Sequence, residues 1–289
     1  MADPDVAARL ERAAGARVSE LRRIGGGHGA AHYRAVLADG RELFLKSVPS
    51  RPADAVSATL RAEATGLRWL AEADVALVPE VFFSANEMLA LPWLPPASAD
   101  RAAAERFGRD LALLHWAGAD SFGAPWPGYI ASLPLGNDEA DSWPAWYAAH
   151  RLLPYARLGR DAGTLGSADV SLIESVASRI DDLAGPAEPP SRTHGDCWSG
   201  NVLWSGGQGW LVDPAAHGGH RESDLAMLAL FGAPYLDAIM AAYRETRPLA
   251  DGWQSRVPLH QLHPLLVHVC LFGSGYREAA VAAARAALS

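Results

Sequence analysis

The segment that most constrains this chain runs His194-Gly195-Asp196-Cys197-Trp198-Ser199-Gly200-Asn201. It continues through Val202-Leu203-Trp204, a Ser205-Gly206-Gly207-Gln208-Gly209 turn and Trp210-Leu211-Val212-Asp213. Two short apolar runs about a glycine-rich turn predict a β-hairpin. A hairpin returns the chain to where it started, so Asp213 should lie beside Asn201. One side-chain oxygen from each strand end can then grip a hard cation. Mg²⁺ suits such a pair, since it takes few protein oxygens and completes its shell with water and phosphate oxygens. Asp196 precedes this hairpin on the entering loop.

The N-terminal third supplies further parts. After a short helix over about residues 3 to 14 comes Arg22-Arg23-Ile24-Gly25-Gly26-Gly27-His28-Gly29. A glycine cluster of this kind breaks regular structure and lets backbone approach a ligand. Tyr33–Ala38 and Arg41–Lys46 flank Asp39-Gly40, a strong hairpin signal that puts Lys46 on a strand. Residues 54–73 read as a helix, with Val56, Leu60, Leu67 and Leu70 at helical spacing and Glu63 among them. A further strand pair is expected from Pro79 to Phe83 and from Met88 to Leu94. Pro92, Pro95 and Pro96 then punctuate the chain, which sets a lobe boundary there.

Beyond it, helices are expected at Ala102–Trp116, Asp169–Leu183, Glu222–Leu230, Pro234–Thr246, Leu262–Phe272 and Arg277–Leu288. The stretch 118–144, rich in Gly, Pro and Trp, reads as an ordered insertion. The predicted class is α+β with two lobes. Residues 1–94 form a small strand-rich, nucleotide-binding lobe. Residues 95–289 form a larger, mainly helical lobe with the catalytic loop and the acceptor site.

An Asp and an Asn five apart before a short strand match the spacing of a kinase catalytic loop. Phosphoryl transfer also needs a cover for the phosphates, a cation on the α/β oxygens and an aligned acceptor. Gly25, Gly26, Gly27, His28 and Gly29 can give the cover. Lys46 can give the cation, held by Glu63, and Asp196 can orient the acceptor hydroxyl and take its proton. Each part alone has an ordinary explanation. Glycine clusters are usually turns, a strand lysine usually lies on a solvated face, and Asp213 before Pro214 can cap a turn. The occurrence of all of them in one chain order favours the functional reading.

Composition narrows the partners. The 289 residues carry a formal net charge of -8, which argues against a nucleic-acid partner. Cys197 and Cys270 are the two cysteines. They show no zinc spacing and suit a reducing compartment. The acidic start, Met1-Ala2-Asp3-Pro4-Asp5, is unlike a secretory leader, and no apolar run reaches membrane-spanning length. No membrane partner and a cytoplasmic setting are expected, and the sequence fixes no oligomeric state.

These residues resemble the fructosamine/ketosamine-3-kinase family, a branch of the aminoglycoside-phosphotransferase and choline-kinase-like group with a protein-kinase-like fold. The likeness spans nearly the whole chain. It rests on the 194–201 motif, on Asp213-Pro214-Ala215 through Met227, and on Phe122-Gly123 with Tyr129-Ile130-Ala131-Ser132. Trp146 with His150-Arg151-Leu152 and the segment from Pro258 to Gly273 also carry it.

The resemblance implies ATP-dependent phosphorylation of the 3-hydroxyl of a ketosamine, either a small metabolite or a glycated amine or protein, as a repair step. It implies Asp196 as base, Asn201 and Asp213 on Mg²⁺, and Lys46 with Glu63 positioning ATP. Asp224 would brace the catalytic loop. Trp198 is expected to pack on the acceptor. Pro92, Trp93 and Leu94 would form the adenine hinge, with the Pro92 C=O and the Leu94 N–H as its contacts. Four departures stand out: Cys197 where Leu is usual, Pro92 in place of an acidic hinge residue, Ala229 where Glu is frequent, and an unusual nucleotide loop with His28 and Gly29. The alternatives are a kinase of another hydroxylated amine, such as an aminoglycoside or a choline-like compound, and a non-catalytic nucleotide-binding module.

Overall fold

The computed structural model describes residues 4–27, 29–48, 54–85 and 87–289. Helix α1 (Pro4–Ala14) leads into strands β1 (Val18–Gly27), β2 (Ala30–Leu37) and β3 (Glu42–Ser47). Helix α2 (Asp54–Ala71) then precedes β4 (Phe83–Ala85) and β5 (Met88–Pro92). The five strands form one sheet in the order β1-β2-β3-β5-β4, with every pairing antiparallel.

Side chains alternate across a strand with period two, and this gives the sheet two faces. Tyr33, Ala35 and Leu37 of β2 and Leu43 and Leu45 of β3 pack with Val6 and Leu10 of α1. Leu89 and Leu91 of β5 face the other way. They join Leu60, Ala64, Leu67 and Leu70, which line one side of α2. The same apolar cluster continues into the helical body through Phe107 and Leu111, so sheet and body share a core.

The body comprises α3 (Arg101–Trp116), a small hairpin of β6 (Gly128–Ile130) and β7 (Leu133–Leu135), then α4 (Trp143–Tyr147), which runs through a π-helical turn, Ala148–Leu152, into α5 (Leu153–Asp161). Next come α6 (Ser167–Ser178), α7 (Ile180–Leu183), β8 (Ser191–Thr193), β9 (Val202–Ser205), β10 (Gln208–Leu211) and β11 (His217–Gly219). Helices α8 (Arg221–Phe231), α9 (Leu236–Thr246), α10 (Trp253–Phe272) and α11 (Arg277–Leu288) complete it. None of the described helices is long and apolar enough to cross a membrane.

Several expectations are corrected. Gly25, Gly26 and Gly27 do not break the strand: they pair with His32, Ala31 and Ala30 as the end of β1. Backbone pairing needs no side chain, so glycine is tolerated where the strand end is exposed. The segment expected from Pro79 is strand only from Phe83. The helix expected over 169–183 breaks at Arg179. Residues 143–161, where no helix was expected, are helical. Helix α10 begins nine residues before Leu262 and carries Pro258 and Pro264 inside it. Each proline removes one backbone donor, and packing in the body's largest apolar cluster, which includes Leu259, Leu262, Leu265 and Leu266, holds the helix together.

Candidate active site

Strand β8 pairs with β11, Thr193 opposite His217, and delivers the chain into the loop at His194. Asp224, on the first turn of α8, receives this loop. Its Oδ2 accepts the His194 N–H at 2.7 Å and its Oδ1 accepts the Gly195 N–H at 3.0 Å. His115 Nε2 lies 3.2 Å from the same Oδ2. Burial pushes the Asp224 carboxyl up, and the hydrogen bonds and charges around it reverse that to a net lowering. Gly195 turns at φ 79°, and a Cβ there would come 2.3 Å from Ala215 O.

A single 3₁₀ turn, Ser199–Asn201, then presents Asn201. Its Nδ2 donates to Asp196 O at 2.9 Å and to Asp196 Oδ2 at 2.8 Å. With Nδ2 so engaged, Oδ1 is the atom left to coordinate or accept. Strands β9 and β10 pair with Leu211 opposite Val202, and the Val212 N–H donates to Asn201 O at 3.0 Å. Asp213 therefore follows directly beside Asn201. It takes φ 56°, a left-handed conformation that costs a non-glycine residue about 1–3 kcal/mol and is found at functional sites.

Lys46 reaches this point from the sheet. Its Nζ lies 2.9 and 2.8 Å from the two Glu63 oxygens and 2.6 Å from Asp213 Oδ1. Burial alone would lower the ammonium pKa, but the two carboxylates outweigh it and the net direction is up. For Asp213, burial raises the carboxyl and Lys46 overcomes it, so the net direction is down. Glu63 goes up, because burial and the Asp213 charge exceed the pull of Lys46. One ammonium between two carboxylates favours ionisation of one at the expense of the other. Asp213 opens onto solvent, with 45% of its side chain exposed.

These groups line one cavity of about 270 Å³ that includes Gly27, Lys46, Glu63, Asp196, Trp198, Asn201 and Asp213. Burial pushes the Asp196 carboxyl up to about 7, assisted by Asp213 and Asp224 and opposed by the Asn201 hydrogen bond. Gly26 and Gly29 border a depression on the far side of the hairpin instead. Gly25, Pro92, Trp93 and Leu94 do not line the cavity. Pro92 ends β5, and the Trp93 N–H is engaged by Glu42 O at 2.9 Å. His28 lies outside the described residues.

Sequence reasoning missed His32, Trp126 and Tyr129, which also line the cavity. The position of His32 was not legible: the expected strand began at Tyr33, and a two-residue Asp39-Gly40 turn would set Tyr33 opposite Lys46, whereas the observed register sets His32 there. Nor was that of Trp126, because it reaches the site by stacking edge-on against Trp69 of α2, centroids 5.5 Å apart.

A second buried group, His220, Glu222 and His260, brings three ligand-type atoms within 4.8 Å of one another. Arg256 forks Glu222 with bonds of 2.9 and 2.6 Å. His220 Nδ1 accepts from Glu222 N at 3.3 Å, which leaves its proton on Nε2. Glu222 is thus held by Arg256 and His220 Nδ1 by the helix cap, while His260 Nε2 is buried 3.4 Å from Glu222 without a hydrogen bond.

A five-stranded sheet over a helical body, with lysine and carboxylates meeting between them, is the arrangement of protein-kinase-like phosphotransferases. The chain shares this fold with a choline kinase of Streptococcus pneumoniae at TM-score 0.67 and 13% identity, over 98% of each chain. Its relationships are narrower still, and the chain belongs to the fructosamine kinase family, whose pattern matches residues 3–289. It is an ATP-dependent kinase. A crystal structure from Thermobifida fusca, assigned as a fructosamine-3-kinase, is 51% identical over 99% of both chains, with TM-score 0.96. A probable ketoamine kinase of Synechocystis sp. is 32% identical over 274 residues, 91% of this chain and 88% of that one.

Proposed function

We propose that the protein transfers the γ-phosphoryl group of ATP to a sugar hydroxyl of a ketosamine, the 3-hydroxyl, in a deglycation step. One observation carries the mechanistic half of this reading: Asp196, Asn201, Asp213, Lys46 and Glu63, drawn from distant parts of the chain, meet on one cavity. Family membership carries the substrate half.

In this reading residues 1–94 hold the nucleotide and residues 95–289 hold the catalytic loop and the acceptor. Lys46, steadied by Glu63, turns to the α/β-phosphate oxygens. Asn201 Oδ1 and the Asp213 carboxylate fit Mg²⁺, since both are hard oxygen donors and the Lys46 bond to Asp213 Oδ1 is given up as Lys46 turns to the phosphates. When bound, the ion would neutralise phosphate charge. Asp196 aligns the acceptor hydroxyl. Its oxygen forms the new P–O bond as the bond to ADP breaks, and the proton passes to Asp196. A carboxyl raised toward neutrality is suited to that exchange. Pro92 C=O and Leu94 N–H are the proposed adenine contacts. Trp198, with 38% of its surface exposed at the cavity edge, would pack against the acceptor, and Trp198→Ala should raise the acceptor KM. The two free thiols, Cys197 and Cys270, suit a reducing, cytoplasmic setting.

The test is ADP release with Mg²⁺ against ketosamines, aminoglycosides and choline-like amines, with Asp196→Ala as control. Turnover on a ketosamine that disappears in the variant supports the reading. Turnover confined to another acceptor class would sink the substrate assignment, and the absence of turnover on any acceptor would sink the mechanism.

A further inference from the structure

His32 is a cavity residue without a role so far. It sits on β2 directly opposite Lys46 of β3. Directly opposed residues on antiparallel strands hold their Cβ atoms about 4.5–5.5 Å apart on one face of the sheet. The face is the one that looks into the active site, since His32 and Lys46 both line the cavity. The His32 ring meets Phe44, also on that face, edge-on at 5.4 Å.

Strand register says which end of a nucleotide this is. Along β3, Leu43 pairs with Pro92 of the proposed hinge, whereas Lys46 pairs with Leu89. Three residues of strand separate the two positions by roughly 10 Å at about 3.3 Å per residue. His32 is therefore at the lysine end of the site and away from the base end.

From the side chains alone, without the proposed Mg²⁺, the charge balance there is unfavourable to phosphate. Glu63, Asp196 and Asp213 line the cavity, and among the described lining residues the basic side chains are Lys46 and His32 alone. Lys46 is already shared between two carboxylates. Thr59 Oγ1 donates to Val56 O, and Tyr129 is the other side chain there with a hydroxyl to offer. A polyphosphate entering this end needs a further donor. Imidazole supplies a ring N–H when neutral and a charge-assisted one when protonated.

We propose that His32 is a nucleotide-binding residue that donates a hydrogen bond to the phosphate chain of the nucleotide, beside Lys46. The proposal rests on the nucleotide-binding half of the functional reading and not on the identity of the acceptor.

The experiment is direct binding, with no acceptor present. Displacement of a fluorescent ATP analogue gives Kd for ATP, ADP and adenosine on the wild type, His32→Ala and His32→Gln, all with Mg²⁺. The expected result is ATP and ADP about tenfold weaker in His32→Ala, adenosine unchanged, and partial recovery in His32→Gln, which keeps an N–H donor. Unchanged ATP and ADP affinities would overturn the proposal. Equal weakening of all three ligands would also overturn it, because the ring would then support the base pocket or the fold. A wild type that binds adenosine but not ATP would refute the phosphate assignment, and one that binds no nucleotide would refute the kinase reading itself.

Discussion

Asp224 holds the His194 N–H at 2.7 Å across 30 residues of sequence, and its second oxygen holds Gly195. A buried carboxylate that accepts from two successive backbone donors fixes the loop before Asp196 without touching the cavity. Asp224→Ala strands those donors and the buried His115. It should destabilise the protein by about 3–5 kcal/mol and lower kcat with it. Urea unfolding gives the first number and steady-state kinetics the second. Full stability with low kcat would show that Asp224 is not a brace.

Removal of Lys46 should do more harm than removal of the pair. Lys46→Met leaves Glu63 facing Asp213 with no cation between them, at a cost of about 3–5 kcal/mol for a broken buried pair. Lys46→Met combined with Glu63→Gln removes the stranded charge and should be the more stable of the two. Unfolding midpoints of the single and double variants decide this, and additive losses would contradict it.

Two glycines with positive φ should respond differently to alanine. At Gly206, φ 59°, a Cβ would meet nothing within 4 Å. Gly206→Ala should lose only the left-handed cost, about 1–2 kcal/mol. At Gly195, φ 79°, the Cβ would also strike Ala215 O at 2.3 Å. Gly195→Ala should lose a further 1–3 kcal/mol, roughly, from overpacking, and activity falls as Asp196 moves. Thermal unfolding of both variants checks the order.

Stability should fall as pH drops from 7 to 5. Burial is the leading cause that holds His115, His194, His217, His220 and His263 below the usual imidazole value, and His217 is brought to about 3. Below about pH 6.5 the unfolded chain takes up protons that these folded imidazoles refuse, so each can cost up to about 2 kcal/mol by pH 5. Asp196, raised to about 7, and Glu63 act in the opposite sense, because they hold protons in the fold that the unfolded chain releases. Five groups outweigh two. A urea midpoint that stays level or rises between pH 7 and pH 5 would contradict buried neutral histidines.

Much of this architecture was legible in local spacing. The Asp39-Gly40 turn, the β9–β10 hairpin and helices such as α2, α3 and α11 follow from patterns that repeat within a few residues. So did the candidate catalytic set, because Asp196, Asn201 and Asp213 lie on one loop and one hairpin. Helix α10 was only half legible, since Pro258 and Pro264 speak against a helix that packing sustains. Strand β1 was misread at its glycine end, where pairing with β2 overrides local preference.

The sequence by itself determined which groups could do chemistry and which short elements carry them, because side-chain period and turn chemistry act over neighbouring residues. Tertiary structure alone decided that Lys46 and Asp213, 167 residues apart, come within 2.6 Å. It also decided that His32 faces the cavity. These are facts of burial and charge between distant segments. A carboxylate or imidazole takes its role from what surrounds it, and those surroundings exist only once the sheet has closed over the helical body.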